Sequence, residues 1–179
     1  VASIADAQTG WTGTVTTIST PAPTIGFLNP AIAVQPNGDA YAVWSDNVEG
    51  DIQAARYVAA TDSWDAPITL VGPGLFISVD VAVDSSGNAF FVLANRTRSG
   101  SFILQIHVVR YSPSSGITTT TTLSTNGSSS GQVVTDAAGN AMVVWAQSTG
   151  IYAARYDSAS PAWLGAERIS DGGFSPRVA

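Results

Sequence analysis

The sequence predicts an all-β fold, a partial β-propeller of three complete four-stranded blades with partial blades on either side. Three observations point there. A block built around a turn glycine recurs three times, with Gly38, Gly87 and Gly139 spaced 49 and 52 residues apart. A strand that opens on Ile and ends in Arg-Tyr follows each block. No window carries the 3.6-residue apolar period of a helix over about ten residues, whereas four short strands in about 50 residues match a propeller blade.

The blocks are Pro30–Trp44, Val79–Leu93 and Gly131–Trp145, and each reads as a hairpin. An apolar first strand (Ile32–Val34, Val81–Val83, Val133–Val134) leads to the turn glycine, and Asp39, Asn88 or Asn140 follows it. Gly, Asn and Asp accept the positive φ that a tight hairpin turn demands. Asp84 and Asp136, three residues ahead of their glycines, read as turn caps. The second strands are apolar at nearly every position, the mark of a strand buried on both faces by stacked sheets. The third strands are Ile52–Tyr57, Ile106–Tyr111 and Ile151–Tyr156. After a Ser/Asp/Pro turn, fourth strands open at Trp64, Ile117 and Trp163 and run to Leu70, Leu123 and Ile169. The gap between second and third strands is longest in the second repeat, where Asn95–Phe102 forms an insertion. A β-sandwich is the alternative fold, but it does not require Gly-Asn-Ala and Arg-Tyr at fixed repeat positions.

The expected division is 1–20 as the last strand of a preceding blade, 21–71, 72–124 and 125–170 as blades, and 171–179 as the first strand of a following blade, all in one propeller domain. Trp11–Ile18 resembles a fourth strand, and Pro176–Ala179 matches Pro30–Ala33. Propellers close with about four to eight blades, so this chain is expected not to close alone. The expected partners are more of the same polypeptide or further copies, because uncovered blade faces would leave Trp, Val and Ile in water.

Composition narrows the function classes. Charged residues make up 11% of the chain, against about a quarter in a typical globular domain. The net charge is −6, all seven basic residues are Arg, and no basic run occurs. Nucleic acid and anionic membrane surfaces are therefore not expected partners. No apolar stretch reaches the ~18 residues of a spanning helix, so no membrane insertion is expected. With no Cys, disulfides and thiolate metal sites are excluded. Richness in Ser and Thr without Lys points to an extracellular or cell-surface location.

The blocks resemble a repeat found in large secreted or surface bacterial proteins. Its pattern is a Pro-x-Val-Ala-Val-Asp run, then Gly-Asn-Ala with a strand ending in Trp, then Ile-x-Ala-x-Arg-Tyr, then a Trp opening the fourth strand. Here it is carried by Asp84, Gly87, Asn88 and Ala89, by Asp136, Gly139, Asn140, Ala141 and Trp145, and by Ile151, Ala153, Arg155, Tyr156 and Trp163. The resemblance covers Trp11 through Ala179. It implies a propeller similar in shape to sialidase-like and NHL-like ones, and no particular activity. The sialidase string Asp-x-Gly-x-Thr-Trp does not occur.

Few residues stand out chemically. Arg56, Arg110 and Arg155 could grip a carboxylate, but their equivalent repeat positions favour a structural role, bonding carbonyls or stacking on aromatics. Arg96 and Arg98 break the pattern and are better ligand-binding candidates, against the plainer reading of a solvated loop. His107 is the only histidine and aligns with Gln53 and Tyr152, with no acid or nucleophile beside it in sequence. It completes the ligand-binding set. Asp46, Glu49 and Asp51 offer oxygen ligands for Ca²⁺, against the reading of a solvated hairpin. No other cofactor is expected. Glu49 and Glu167 are the only glutamates, and no carboxylate pair suited to glycoside cleavage stands out. No nucleophile elbow, phosphate loop or zinc motif is present.

The expectation is a non-catalytic, secreted or surface binding and adhesion scaffold, its ligand a carbohydrate or another surface polymer. The alternatives are a structural subunit of an extracellular assembly and a hydrolase or lyase of sialidase-like shape. Loops gathered on one face of a propeller are the usual docking place. Trp44, Trp64, Trp145 and Trp163 are expected to pack within or between blades.

Overall fold

A computed structural model describes residues 17–18, 30–46, 50–99, 101–126, 130–173 and 176–178, with the side chains of 46, 97–99, 101–103 and 118 outside that description. The described residues form three antiparallel sheets and no helix. Sheet 1 holds β1 (Ala31–Val34), β2 (Ala40–Asp46) and β3 (Asp51–Val58), with β4 (Ser63–Trp64) and β5 (Ile68–Val71) both paired to β3. Sheet 2 is β6 (Leu75–Val83), β7 (Ala89–Ser99), β8 (Ser101–Ser112) and β9 (Gly116–Ser124). Sheet 3 repeats sheet 1 with β10 (Gly131–Thr135), β11 (Ala141–Gln147), β12 (Gly150–Asp157), β13 (Ala162–Trp163) and β14 (Glu167–Ser170).

Two expectations change in detail. The fourth strand is not continuous in sheets 1 and 3. Tyr57 pairs with Trp64 and Ala54 with Ile68, so four steps along the fourth strand match three along β3. The surplus residue is expelled as a bulge, and Tyr156–Trp163 with Ala153–Glu167 repeats the arrangement. In sheet 2 the fourth strand, β9, runs unbroken, with its surplus taken up between the pairs Tyr111–Ile117 and Arg110–Thr119. The second difference is the insertion. It is no loop: β7 and β8 pair in register out to Ser99 and Ser101, so the extra residues lengthen a hairpin.

The hairpin turns follow the repeat chemistry. Gly38, Gly87 and Gly139 sit at φ 91, 85 and 81, which a side chain would strain. In sheet 2 the Asp84 carboxylate accepts the N–H groups of Ser86 and Asn88 at 2.8 and 2.9 Å and the Asn88 side-chain amide at 2.8 Å. Asp136 makes the same three bonds to Ala138 and Asn140. Sheet 1 has Gln35 at that position, and its Nε2 instead donates to the Asp84 carbonyl of sheet 2 at 2.8 Å.

The sheets stack face to face, and the core is the pair of seams between them. Tyr41, Val43, Ile52, Ala54 and Leu70 of sheet 1 meet Val81, Ala89, Phe91, Leu93 and Val109 of sheet 2. The other face of sheet 2, with Phe90, Val92, Ile106 and Val108, meets Val133, Val143, Trp145, Ala154 and Tyr156 of sheet 3. This is why the second strands are apolar throughout: β7 buries both faces. The tryptophans pack as expected. Trp44 and Trp145 are buried, Trp163 lies against the seam between sheets 2 and 3, and Trp64 lies beside Trp44 with Ile18.

Repeat-equivalent positions report which faces are covered. Ile32 is 61% exposed, whereas its equivalents Val81 and Val133 in the seams are 6% and 5% exposed. On the opposite face Met142 is 40% exposed, whereas Tyr41 and Phe90 are 1% and 0%. Two faces of opposite type thus expose apolar side chains, one on sheet 1 and one on sheet 3.

A carboxylate lies in the second seam. Asp80 of β6 accepts the N–H of Val133 in β10 at 2.9 Å, and burial pushes its pKa above the ordinary 3.8 despite that bond. A carboxyl with a raised folded pKa stabilises the fold fully below its unfolded value, and this contribution declines as pH rises through the folded value. Asp80→Asn keeps an oxygen acceptor and removes the charge. It is expected to raise the melting temperature at pH 7 and to leave it little changed at pH 3. Asp39 and Asp136 run the opposite way. Both are held below the ordinary range, Asp39 chiefly by the Ala59 N–H and Asp136 chiefly by the Asn140 side chain. The comparison is therefore variant against wild type at each pH. An equal shift at both pH values would mean the seam does not penalise the charge.

Candidate functional site

The residues singled out for ligand binding do not converge. Arg96 is exposed on β7 and stands opposite Leu75 and Leu104, and Arg98 is two residues on, opposite Phe102. His107 pairs with Leu93 on β8. Strand alternation puts Leu93 and His107 on the face of sheet 2 turned to sheet 1, and Arg96 on the other face. His107 is half-buried, its Nδ1 is 3.0 Å from the Thr122 hydroxyl, and burial lowers its pKa.

The Ca²⁺ candidates sit at the mouth of the β2–β3 hairpin. Asp46 and Asp51 are directly opposed in register, and Glu49 lies outside the described residues. One buried carboxylate oxygen of Asp51, Oδ1, has no hydrogen-bond partner. Among the described residues no three His, Asp or Glu side chains gather as a metal site.

The repeat arginines serve the fold. Arg56 bonds Asp39 of its own sheet's hairpin turn at 2.7 Å. Arg110 lies over the rings of Phe90 and Tyr156, at 5.8 and 5.6 Å from their centroids, and so bridges sheets 2 and 3. Arg155, on the open face of sheet 3, is exposed.

The feature that sequence reasoning missed is a cavity of about 70 Å³ between sheets 1 and 2, lined by Tyr41, Arg56, Asp65, Ala66, Ile68 and Tyr111 among others. The two seams differ in their aromatic packing. Trp64 and Trp163 each pair with the Tyr of the Arg-Tyr strand, with ring centroids 5.5 Å apart. In the seam between sheets 2 and 3 this makes a three-ring cluster, with Phe90 at 5.1 Å from Tyr156 and 6.3 Å from Trp163. In the seam between sheets 1 and 2 the Tyr41 and Tyr111 rings meet at 5.8 Å. The third position there is Ile117, paired with Tyr111 and partly exposed.

The cavity is polar along one side. Burial pushes the Tyr41 phenol up to about 12, so it is neutral, and its hydroxyl donates to the Gly87 carbonyl at 3.3 Å. The Nε–H of Arg56 is buried without an acceptor. Asp65 and Ala66 are exposed at the rim.

No family model and no curated protein sequence matches this chain. Among solved structures it is similar to xylan β-1,4-xylosidase from Bacillus halodurans C-125, with TM-score 0.52, 13% identity, 83% of this chain covered and 33% of that one. It is similar to a protein of unknown function from Dyadobacter fermentans DSM 18053, with TM-score 0.54, 11% identity and coverages of 82% and 52%. It is also similar to the Hadza microbial sialidase Hz136, with TM-score 0.51, 11% identity and coverages of 76% and 36%. The chain thus spans between a third and about a half of the length of these structures. At such identities the likeness shows the fold alone. Three antiparallel sheets stacked face to face, and these neighbours, make this a β-propeller-like fold.

Proposed function

We propose that this chain is a non-catalytic binding module of a secreted or surface propeller of the repeat type described above, with carbohydrate or another neutral surface polymer as its ligand. What supports a non-catalytic reading is where four of the carboxylates stand. Asp39, Asp84 and Asp136 are held in hairpin turns and Asp80 in a seam, so these four are not free to act as a cleaving pair. Glycoside cleavage needs two carboxyl groups about 5–10 Å apart across a cleft. The polar, aromatic-lined cavity between sheets 1 and 2 supports a ligand of sugar-like chemistry, and two structural neighbours are a xylosidase and a sialidase by name. A broad glycan array, read beside a hydrolysis assay on aryl xylosides and sialosides, tests the reading. Binding without turnover is the expected result. Turnover that survives full purification would overturn it in favour of a hydrolase, and a blank array at high protein concentration would overturn the ligand class.

The second part of the proposal concerns partners. The open faces bearing Ile32 and Met142 are covered by further blades of the same repeat, from the same polypeptide or from another copy. Val178 supports this: its N–H is donated to Gln132 Oε1 at 3.2 Å, the repeat equivalent of the Val133 N–H to Asp80. The 179-residue chain alone is expected to associate through these faces, and Met142→Glu with Ile169→Glu to return it to a monomer in light scattering. A wild-type monomer with no affinity for a hydrophobic dye would sink the partner reading.

A further inference from the structure

We infer that the overhanging end of the β7–β8 hairpin is a docking edge for an extended acidic polypeptide segment, which adds to sheet 2 as a further strand beside Ser101–Gln105. The inference stands apart from the carbohydrate reading. Its first ground is a ladder that stops short. In sheet 1 the third strand, β3, starts at Asp51 and is paired with β5 from Ile52 onward. In sheet 3, β12 starts at Gly150 and is paired with β14 from Ile151 onward. Sheet 2 departs from this. β8 starts at Ser101, and its pairing with β9 begins only at Ile106, opposite Ser124. Among the described residues, Ser101–Gln105 therefore has a partner strand on one side alone, β7. Alternate residues of an antiparallel ladder turn their N–H and C=O groups to opposite sides, so about two or three of these five present both groups to the open side. Such an edge is a template for strand addition. Proteins blunt exposed edges with charge, proline or a bulge. Ser101, Phe102, Ile103, Leu104 and Gln105 include no charge and no proline, and they pair with β7 without a shift of register.

Charge names the partner. The chain carries 13 acidic residues, and none falls between Asp84 and Asp136. Arg96 and Arg98 stand on β7 opposite Leu104 and Phe102 of the overhanging segment, and positions two apart on a strand share a face. Arg96 is exposed. The overhang is thus a basic, acid-free element on a chain of net charge −6. A second copy paired edge to edge through the same segment would bring two such elements together, and like charges side by side in a sheet repel. A strand with Glu or Asp at alternate positions meets opposite charge instead. Its backbone bonds the edge, and its carboxylates lie on the face of the arginines. The partner is an acidic extended segment of another polypeptide.

The test uses the intact chain and a fluorescent peptide of alternating Val and Glu, about nine residues long. Two further peptides separate the contributions: one with Lys in place of Glu, and one acidic but methylated at its backbone N–H groups, which keeps the charge and removes the donors. Binding of the acidic peptide in fluorescence anisotropy, with hydrogen exchange slowed in residues 101–105, is the expected result. Backbone methylation and the paired change Arg96→Glu with Arg98→Glu are each expected to weaken it roughly tenfold or more, with the melting transition of the variant unchanged. A lowered melting transition in the variant would leave the decision to the Lys and methylated peptides, which need no variant. Equal binding of the Lys peptide would overturn the acidic partner. Binding that survives methylation, or that dextran sulfate displaces as readily as unlabelled peptide does, would overturn strand addition and reduce the site to an anion patch. Slowed exchange elsewhere than 101–105 would overturn the location, and no binding at millimolar peptide would overturn the whole.

Discussion

Replacing Trp145 by alanine is expected to destabilise the chain by about 3–5 kcal/mol, the range for removing a large aromatic from a close-packed interior. Trp145 has no exposed surface and packs in the seam between sheets 2 and 3 with Phe90, Val92, Ile106 and Val108 in the same cluster. It also stacks on Tyr152, with centroids 6.1 Å apart and planes 18° off parallel. The seam joins two sheets, so the cavity left behind cannot be closed by a shift of one loop. A second variant separates packing from polarity. The indole Nε1–H is buried without an acceptor, so Trp145→Phe sheds an unsatisfied donor along with part of the ring. It is expected to cost clearly less than Trp145→Ala. Trp44, its repeat equivalent in sheet 1, packs with Ala42, Ala55, Ile18 and Trp64, and Trp44→Ala is expected near the lower end of the same range. Urea unfolding followed by circular dichroism and by calorimetry checks both, with coincident transitions required before a single free energy is assigned. A loss below about 1 kcal/mol with cooperative unfolding intact would mean that the ring does not hold the seam.

What the sequence disclosed and what it concealed divide along physical lines. The hairpins were legible because their turns need a particular backbone conformation, and only Gly among common residues takes φ near 85 at Gly87 without strain. The stacking was legible because a strand buried on both faces, such as β7, cannot keep the alternation of a half-solvated one. The broken fourth strands were not, since the surplus residue between Trp64 and Ile68 changes no apolar position and shows only in pairing. The insertion in the second repeat looked like a loop because Asn95 and Arg96 are polar. Register with Gln105 and Leu104 extends the hairpin instead. The cavity was hidden for a related reason. It is lined from two sheets, with Tyr41 of one and Tyr111 of the other 5.8 Å apart between ring centroids. Sequence spacing locates residues along a strand, and it carries no measure of what a neighbouring sheet leaves unfilled. Arg96 and His107 illustrate the same limit, since one drew notice by breaking the repeat and the other as the only histidine, and they stand on opposite faces of sheet 2.

The turns form a row along one edge of the stack, and Asp84 holds its middle. Its carboxylate satisfies three N–H donors of its own turn, and its carbonyl accepts Gln35 Nε2 from sheet 1. On the other side its Oδ2 lies close enough to Gly139 that a methyl there would sit at 3.3 Å, so the turn of sheet 3 borders it as well. Asp84 is buried and Asp136, with the same three bonds, is exposed. That difference sets the expected result. Asp84→Ala leaves part-buried donors unmet and is expected to cost about 2–3 kcal/mol, because N–H groups shielded from water that lose their acceptor are penalised. Asp136→Ala makes the same cut where water can step in, and its loss is expected to be much the smaller of the two. Melting temperatures of the two variants, read at one pH and one salt concentration, decide the matter. Equal losses would show that each turn carries its own carboxylate independently and that the contacts from Gln35 and Gly139 add nothing. The unequal result would place the coupling between sheets partly in this row of turns, outside the apolar seams, with Gln35→Ala as a milder variant that loosens sheet 1 from sheet 2 and leaves the turn at Asp84 intact.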